Sequence, residues 1–481
     1  MKYYLLLILL LLPVICLARP LWSVDKGHTV VDHSLLDEVV ATKTTQFSIT
    51  ADGEEFLVDV EKVSPPNLGV TSISGRINGH QESFFLLCRT DKGATIAFFR
   101  AAGGEAYRLD HTMGSDQVYA VEVGELGSCG GGLKPSQVRL GGEPHHPQPA
   151  RPSANDDPSR SVADDGSRHD IVIGYTPAAE SYMGGWDYIR AEAQLSVDAA
   201  NLVYSNSNVA SELRLVHIVF TDYEEISAWN YIDHVLYLLD PYDGYMDDMH
   251  QDRNLTGADF VSVLIDGRNA MGEVPTCGVA RVMQSDEVNH DFEHLAFSIV
   301  SVQCAAANWS LAHEVGHNRG CAHDRNHAQV DGVFDYSYGH YFAFDEVEET
   351  GLRTVMSYDH FYFPHERVPY FSNPEVSFGG DATGVWPGLE GEAHNALTHD
   401  HTSGVCAAFR GERTFVQFSY PHAYSDGLIL FPYPTIAEGL AGSLVGGNIV
   451  IQESKADFTG VFSEPRSYIS DAVGGIVLGG F

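Results

Sequence analysis

Between residues 313 and 324 the chain reads His313-Glu314-Val315-Gly316-His317-Asn318-Arg319-Gly320-Cys321-Ala322-His323-Asp324, a pattern few folds can accommodate. Residues four apart on an α-helix lie about 40° from each other around its axis, so His313 and His317 present their rings on one face, where a single zinc ion can bridge them. Glu314 directly follows a ligand and so stands beside the metal, where a carboxylate can take a proton from a water held there. Gly320 comes one turn after His317, where a residue without a Cβ can enter the left-handed conformation that ends a helix and reverses the chain. The reversal delivers His323 as a third ligand. Three neutral imidazoles leave the fourth tetrahedral position open, which separates a catalytic zinc site from a closed structural one.

The bare five-residue form His-Glu-x-x-His also arises by chance on amphipathic helices. The longer pattern is far more specific, because the glycine, third histidine and aspartate fall in register and Val355-Met356-Ser357-Tyr358 follows, with Met356 33 residues after His323. In these residues the chain resembles the metzincin metallopeptidases, and more narrowly their reprolysin-like and bacterial peptidyl-Asp metalloendopeptidase-like branches. The resemblance implies a zinc enzyme that hydrolyses peptide bonds, with Met356 in the turn beneath the metal. It also implies that Asp324 bonds back to the backbone and holds its turn, and that Tyr358 assists the transition state. Two further segments carry the likeness, His169-Asp170-Ile171-Val172-Ile173-Gly174-Tyr175-Thr176-Pro177 and Pro369-Tyr370-Phe371-Ser372-Asn373-Pro374. Together they span residues from about 168 to 410.

Residues 1–18 combine Lys2, an apolar run Leu5 to Leu12 and a small residue at Ala18, the layout of a secretory signal peptide. A membrane anchor is the competing reading, but the run is short and Pro13 interrupts it. A lipoprotein signal through Cys16 is a third, against which stands the bulky Ile15. Export into an oxidising setting allows the cysteines to pair. Cys277, Cys304, Cys321 and Cys406 permit three pairings; Cys277 with Cys304 and Cys321 with Cys406 is the favoured set. A net charge of −37, from 28 basic against 65 acidic residues, argues against nucleic acid or an anionic membrane as partner. Calcium could use some of these carboxylates, although neither an EF-hand loop nor a Gly-Gly-x-Gly-x-Asp repeat is present.

Short apolar or alternating runs between residues 45 and 125, such as Phe56-Leu57-Val58-Asp59-Val60, read as a β-rich domain. Residues 19–140 are accordingly expected to be a propeptide covering the cleft, with a separate binding domain as the alternative. Residues 141–168, rich in Pro, Ser, Asp and His, read as a linker open to maturation cleavage. Within residues 169–410 the order is strand, long amphipathic helix, strand, helix, strand, which suits an α/β sandwich with a twisted, mostly parallel sheet. Here Gly278 to Met283 is expected as the antiparallel edge along which substrate lies, and Val405 to Arg410 as the closing helix. Residues 411–481 repeat short strands punctuated by glycine, at Phe431 to Leu440, Gly446 to Ile451 and Gly474 to Gly479. They resemble the opening turns of a parallel β-helix, with a generic β module as the alternative.

The expectation is therefore a secreted zinc endopeptidase, acting as a monomer on protein or peptide substrates and made as a proenzyme. Zinc would be held by His313, His317 and His323, with Glu314 as general base and Tyr358 on the oxyanion. The alternative is a zinc-stabilised adhesin or binding protein, against which the intact Glu314 argues, since structural zinc needs no base. Cys129, flanked by glycines in Gly127-Ser128-Cys129-Gly130-Gly131-Gly132, could reach the open zinc position, as in the cysteine switches of matrixins and reprolysins. A Cys88–Cys129 disulfide is the competing reading. After the Met-turn, Arg367 could select Asp or Glu on the amino-group side of the cut through two parallel hydrogen bonds, or lie on the surface neutralised by Glu366.

Overall fold

The computed structural model describes residues 19–25, 28–42, 45–112, 115–121, 128–129, 166–225, 231–269, 271–345, 347, 349–360, 362–418, 420–421, 424–443, 447–452 and 467–470. The expected signal peptide, most of the linker, the glycines around Cys129 and the run Gly474 to Gly479 lie outside these residues.

The central sheet has six strands. In spatial order they are Ser128–Cys129, Thr276–Ala280, Phe297–Ser301, Phe260–Ile265, Arg168–Tyr175 and Glu212–Phe220. Phe260–Ile265 is buried at every position, as a parallel strand covered on both faces must be. The last four strands are mutually parallel, while Thr276–Ala280 runs antiparallel to Phe297–Ser301. That strand was expected as the sheet's edge, at Gly278 to Met283. It is not the edge, because Ser128–Cys129 pairs outside it in parallel orientation.

The connection from Arg168–Tyr175 to its parallel neighbour Glu212–Phe220 runs through the helix Trp186–Asn206. An amphipathic helix was expected there. Instead residues 189 to 197 are buried without a break, because the helix has the central sheet on one side and a second sheet on the other. The second sheet holds seven antiparallel strands in sequence order between Gln46 and Val121. Its far face closes a separate core with Trp22, Leu36 and Val39. Its near face sends Phe84, Leu86, Cys88 and Phe98 into the same core as the central sheet.

The closing helix is Asn395–Cys406, ten residues ahead of its expected start at Val405. Its start is fixed by His394, whose ring accepts a hydrogen bond from the Leu397 N–H at 3.2 Å. Cys277 and Cys304 are bonded as expected. Cys321 and Cys406 are not: both are buried thiols, and Cys321 turns its sulfur onto His399 Nε2 at 3.6 Å. Past residue 410, Arg413–Val416, Asn448–Ile451 and Ser467–Ser470 stack as a parallel three-stranded sheet, packing Val416, Ile449 and Ile451 against Ile436.

Candidate metal centre

The histidine-bearing helix runs Ser310–Asn318 and is buried along its whole length. It begins after Trp309, whose left-handed backbone (φ 57°) turns the chain into the first helical residue. Just past its end stands Gly320, with φ 90°. A side chain there would be strained and would meet Val333 at 2.7 Å, so the chain reverses on glycine and brings His323 back toward the helix.

The three rings converge through their Nε2 atoms. His313 and His317 lie 3.1 and 3.0 Å from His323 at those atoms. On the far side of each helical ring, Nδ1 meets a backbone carbonyl, Val355 for His313 and Cys321 for His317, both at 2.8 Å. Those bonds place the ring proton on Nδ1 and leave Nε2 as a lone pair aimed at the other two rings. Burial holds all three imidazoles neutral, with His317 pulled down to about 4. Buried lone pairs facing one another need a cation among them, and three neutral nitrogens suit zinc. The donor set fits that ion.

Cys129 completes the cluster: its sulfur and the three rings offer donor atoms all within 4.8 Å of one another. Its Sγ is 3.6 Å from His317 Nε2 and 3.7 Å from Glu314 Oε2. The carboxyl of Glu314 is raised to about 8, chiefly by burial. The ring of Tyr358 lies tilted against that of His323 with centroids 4.2 Å apart, and its hydroxyl donates to the Cys129 carbonyl at 2.5 Å. Asp324 ties the third histidine's loop to the same turn. Its Oδ1 accepts from the Asn326 N–H and meets His327 Nδ1, while its Oδ2 accepts from the Tyr358 N–H at 3.1 Å. Beneath the helix, a Cβ at Gly316 would stand 2.8 Å from Met356 Sδ, so the methionine packs directly on the glycine between the two helical histidines.

Arg367 is buried, not on the surface. Glu366 pairs instead with Arg100 of the seven-stranded sheet, and the Arg367 guanidinium donates to the carbonyls of Asn308 (3.1 Å) and Ser357 (3.2 Å). Its Nε has no hydrogen-bond partner among the described residues. Cys88 is a free thiol against Asp198 at 3.3 Å, unbonded to Cys129.

Residues 190–324 match the family model of reprolysin-like metallopeptidases of family M12B. Over these residues the chain is similar to reprolysin-like, metzincin-type metallopeptidases. Among curated proteins, this chain is 32% identical over 240 residues to the peptidyl-Asp metalloendopeptidase of Stenotrophomonas maltophilia, covering 50% of this chain and 52% of that one. It is 31% identical over 242 residues to the protein of that description from Xanthomonas campestris pv. campestris, covering 50% and 51%. With the one from Pseudomonas aeruginosa the figures are 29% over 218 residues, covering 43% and 34%. The chain thus spans about half the length or less of these curated relatives.

Two contacts at this site escaped the sequence reading, that of Gly278 with Glu314 and that of Trp309 with the seven-stranded sheet. Gly278 lies against Glu314, and the available signal was a glycine inside an otherwise apolar strand, which marks close approach of another group. Trp309 had no such signal, since its partners Phe84 and Phe98 lie more than 200 residues away in sequence.

Proposed function

We propose that this chain is a zinc-dependent endopeptidase made in a latent form, with the Cys129 thiol standing where the attacking water would otherwise sit. The observation that carries this reading is the convergence of three imidazole Nε2 atoms beside a buried carboxylate, with a single sulfur on the remaining side. When bound by His313, His317 and His323, zinc supplies Lewis acidity toward the scissile carbonyl. Glu314 takes the proton of the attacking water and passes it to the leaving amine nitrogen. The Tyr358 hydroxyl, once released from the Cys129 carbonyl, donates to the oxygen that gains charge.

Latency is supported by Ser128–Cys129 pairing with Thr276–Ala280, which fills the strand position an extended peptide would take. Residues 19–140 then act as propeptide and 141–168 as the cleavable linker. The names of the relatives suggest cleavage beside aspartate. Arg367 supports that preference: burial and the neighbouring Arg353 disfavour its charge, and a substrate carboxylate would answer it. Export through residues 1–18 agrees with the disulfide Cys277–Cys304. Among the described residues no helix is long and apolar enough to cross a membrane. The parallel stacking beyond residue 410 supports the opening turns of a β-helix.

The test is hydrolysis of denatured casein by the processed chain with and without a zinc chelator, with zinc counted by mass spectrometry. One zinc per chain and chelator-sensitive cleavage are expected. A zinc-loaded processed chain that cleaves no peptide would favour the binding-protein alternative.

A further inference from the structure

A cover that leaves on maturation needs to touch little beyond the rim of the cleft. The seven-stranded sheet does much more. Polar side chains on more than one side of the helix Trp186–Asn206 meet partners from that sheet and its connecting turns. Arg190 Nη2 pairs with Asp91 at 2.5 Å, and Gln194 Oε1 accepts from Asn67 Nδ2 at 2.9 Å. Glu192, fully buried, pairs with Arg108 at 2.6 Å, and Arg108 in turn holds Asp110 at 3.0 Å.

One of these contacts, and a second cluster, run on toward the metal helix. The Glu192 carboxylate also accepts from the Ala306 N–H at 3.4 Å, in the loop that leads to Ser310. Trp309, the residue that turns the chain into the helix, packs against both Phe84 and Phe98 with ring centroids 5.1 and 5.0 Å away, and is 1% exposed. The sheet also touches the far side of the site through Arg100 and Glu366, next to Arg367. Finally, the segment beyond residue 410 closes over the same sheet, where Asp426 accepts from the Leu68 N–H at 3.0 Å.

We propose that the N-terminal sheet is a standing part of the peptidase unit: when the connecting segment is cut, residues 19–121 stay docked on Trp186–Asn206 and Trp309, and only the stretch carrying Cys129 leaves the site. Release of the sheet would expose Trp309, Phe84 and Phe98 to water, which is strongly unfavourable. The inference goes beyond the proposed activity and is read by mass alone, so it can fail while that activity stands.

The experiment uses the full chain with a recognition sequence for an added protease inserted near residue 150. After cutting, native size-exclusion chromatography should return both fragments together in equal amounts at the mass of the uncut chain. They should separate only in denaturant. A folded, zinc-loaded C-terminal fragment eluting free of the N-terminal one would overturn the proposal. In the cut chain, Phe98→Ala with Arg108→Ala should raise the free share by about tenfold or more, as loss of buried contacts does. Undiminished co-elution of that variant would overturn the assignment of these contacts.

Discussion

A Cβ placed on Gly278 would stand 2.6 Å from Oε1 of Glu314 and 2.8 Å from its Cγ. The strand beside the cleft and the carboxylate of the metal helix are thus in direct contact, and the width of one backbone sets where that carboxylate points. Gly278→Ala should displace Glu314 without touching a ligand. An extra methyl in a closed space costs about 1–3 kcal/mol, and a loss of that size in transition-state stabilisation by Glu314 lowers kcat by roughly 5- to 150-fold. Zinc content should stay as in the wild type. Unchanged kcat would show that Glu314 tolerates the shift.

Removing the carboxylate altogether separates base from ligand. Glu314→Gln should keep fold and zinc while cutting turnover by roughly 10²–10⁴, the usual contribution of a general base. His323→Ala should instead lose zinc, because two rings alone hold it poorly. Zinc analysis alongside peptide kinetics reads both. A chelator should lower the melting temperature of the wild type by removing a ligand bound to the folded state.

For latency, the relevant contact is Cys129 Sγ at 3.6 Å from His317 Nε2. Cys129→Ser in the unprocessed chain should be active without cleavage. Peptide mapping of the unprocessed wild type should find Cys88 and Cys129 uncrosslinked. A Cys88–Cys129 disulfide in that map would remove the thiol from the site and end the switch.

Arg367 gives a prediction on selectivity. Profiling a peptide library with wild type and Arg367→Ala should show a preference for Asp or Glu just beyond the cut in the first and its loss in the second. A charge-assisted pair lost from a buried site is worth about 2–5 kcal/mol, or at least tenfold in kcat/KM for acidic peptides. Because Arg367 also holds the carbonyl of Ser357 at 3.2 Å, turnover of apolar peptides by the variant must be measured too. An equal drop for every peptide would assign Arg367 to holding the turn and not to reading the substrate.

The candidate metal site was legible in the chain because its logic is local. Helical spacing brings His313 and His317 to one face, a glycine reverses the chain at residue 320, and the third ring follows within three residues. Strands such as Phe260–Ile265 were legible for a similar reason, since a buried parallel strand is an unbroken apolar run. Cysteine pairing was only half legible: Cys277–Cys304 formed, whereas Cys321 faces His399, and side-chain direction in a packed core does not follow from sequence distance.

What only the tertiary structure decided depends on surfaces meeting across the chain. Whether Trp186–Asn206 has one dry face or two depends on a sheet more than 60 residues upstream. The environment of Arg367 depends on Arg100 taking Glu366 away from it. The burial of Trp309 depends on two phenylalanines of that same sheet. Periodicity and spacing specify what a segment can become by itself. Burial is a property of pairs of surfaces, and the identity of the second surface is written nowhere in the first.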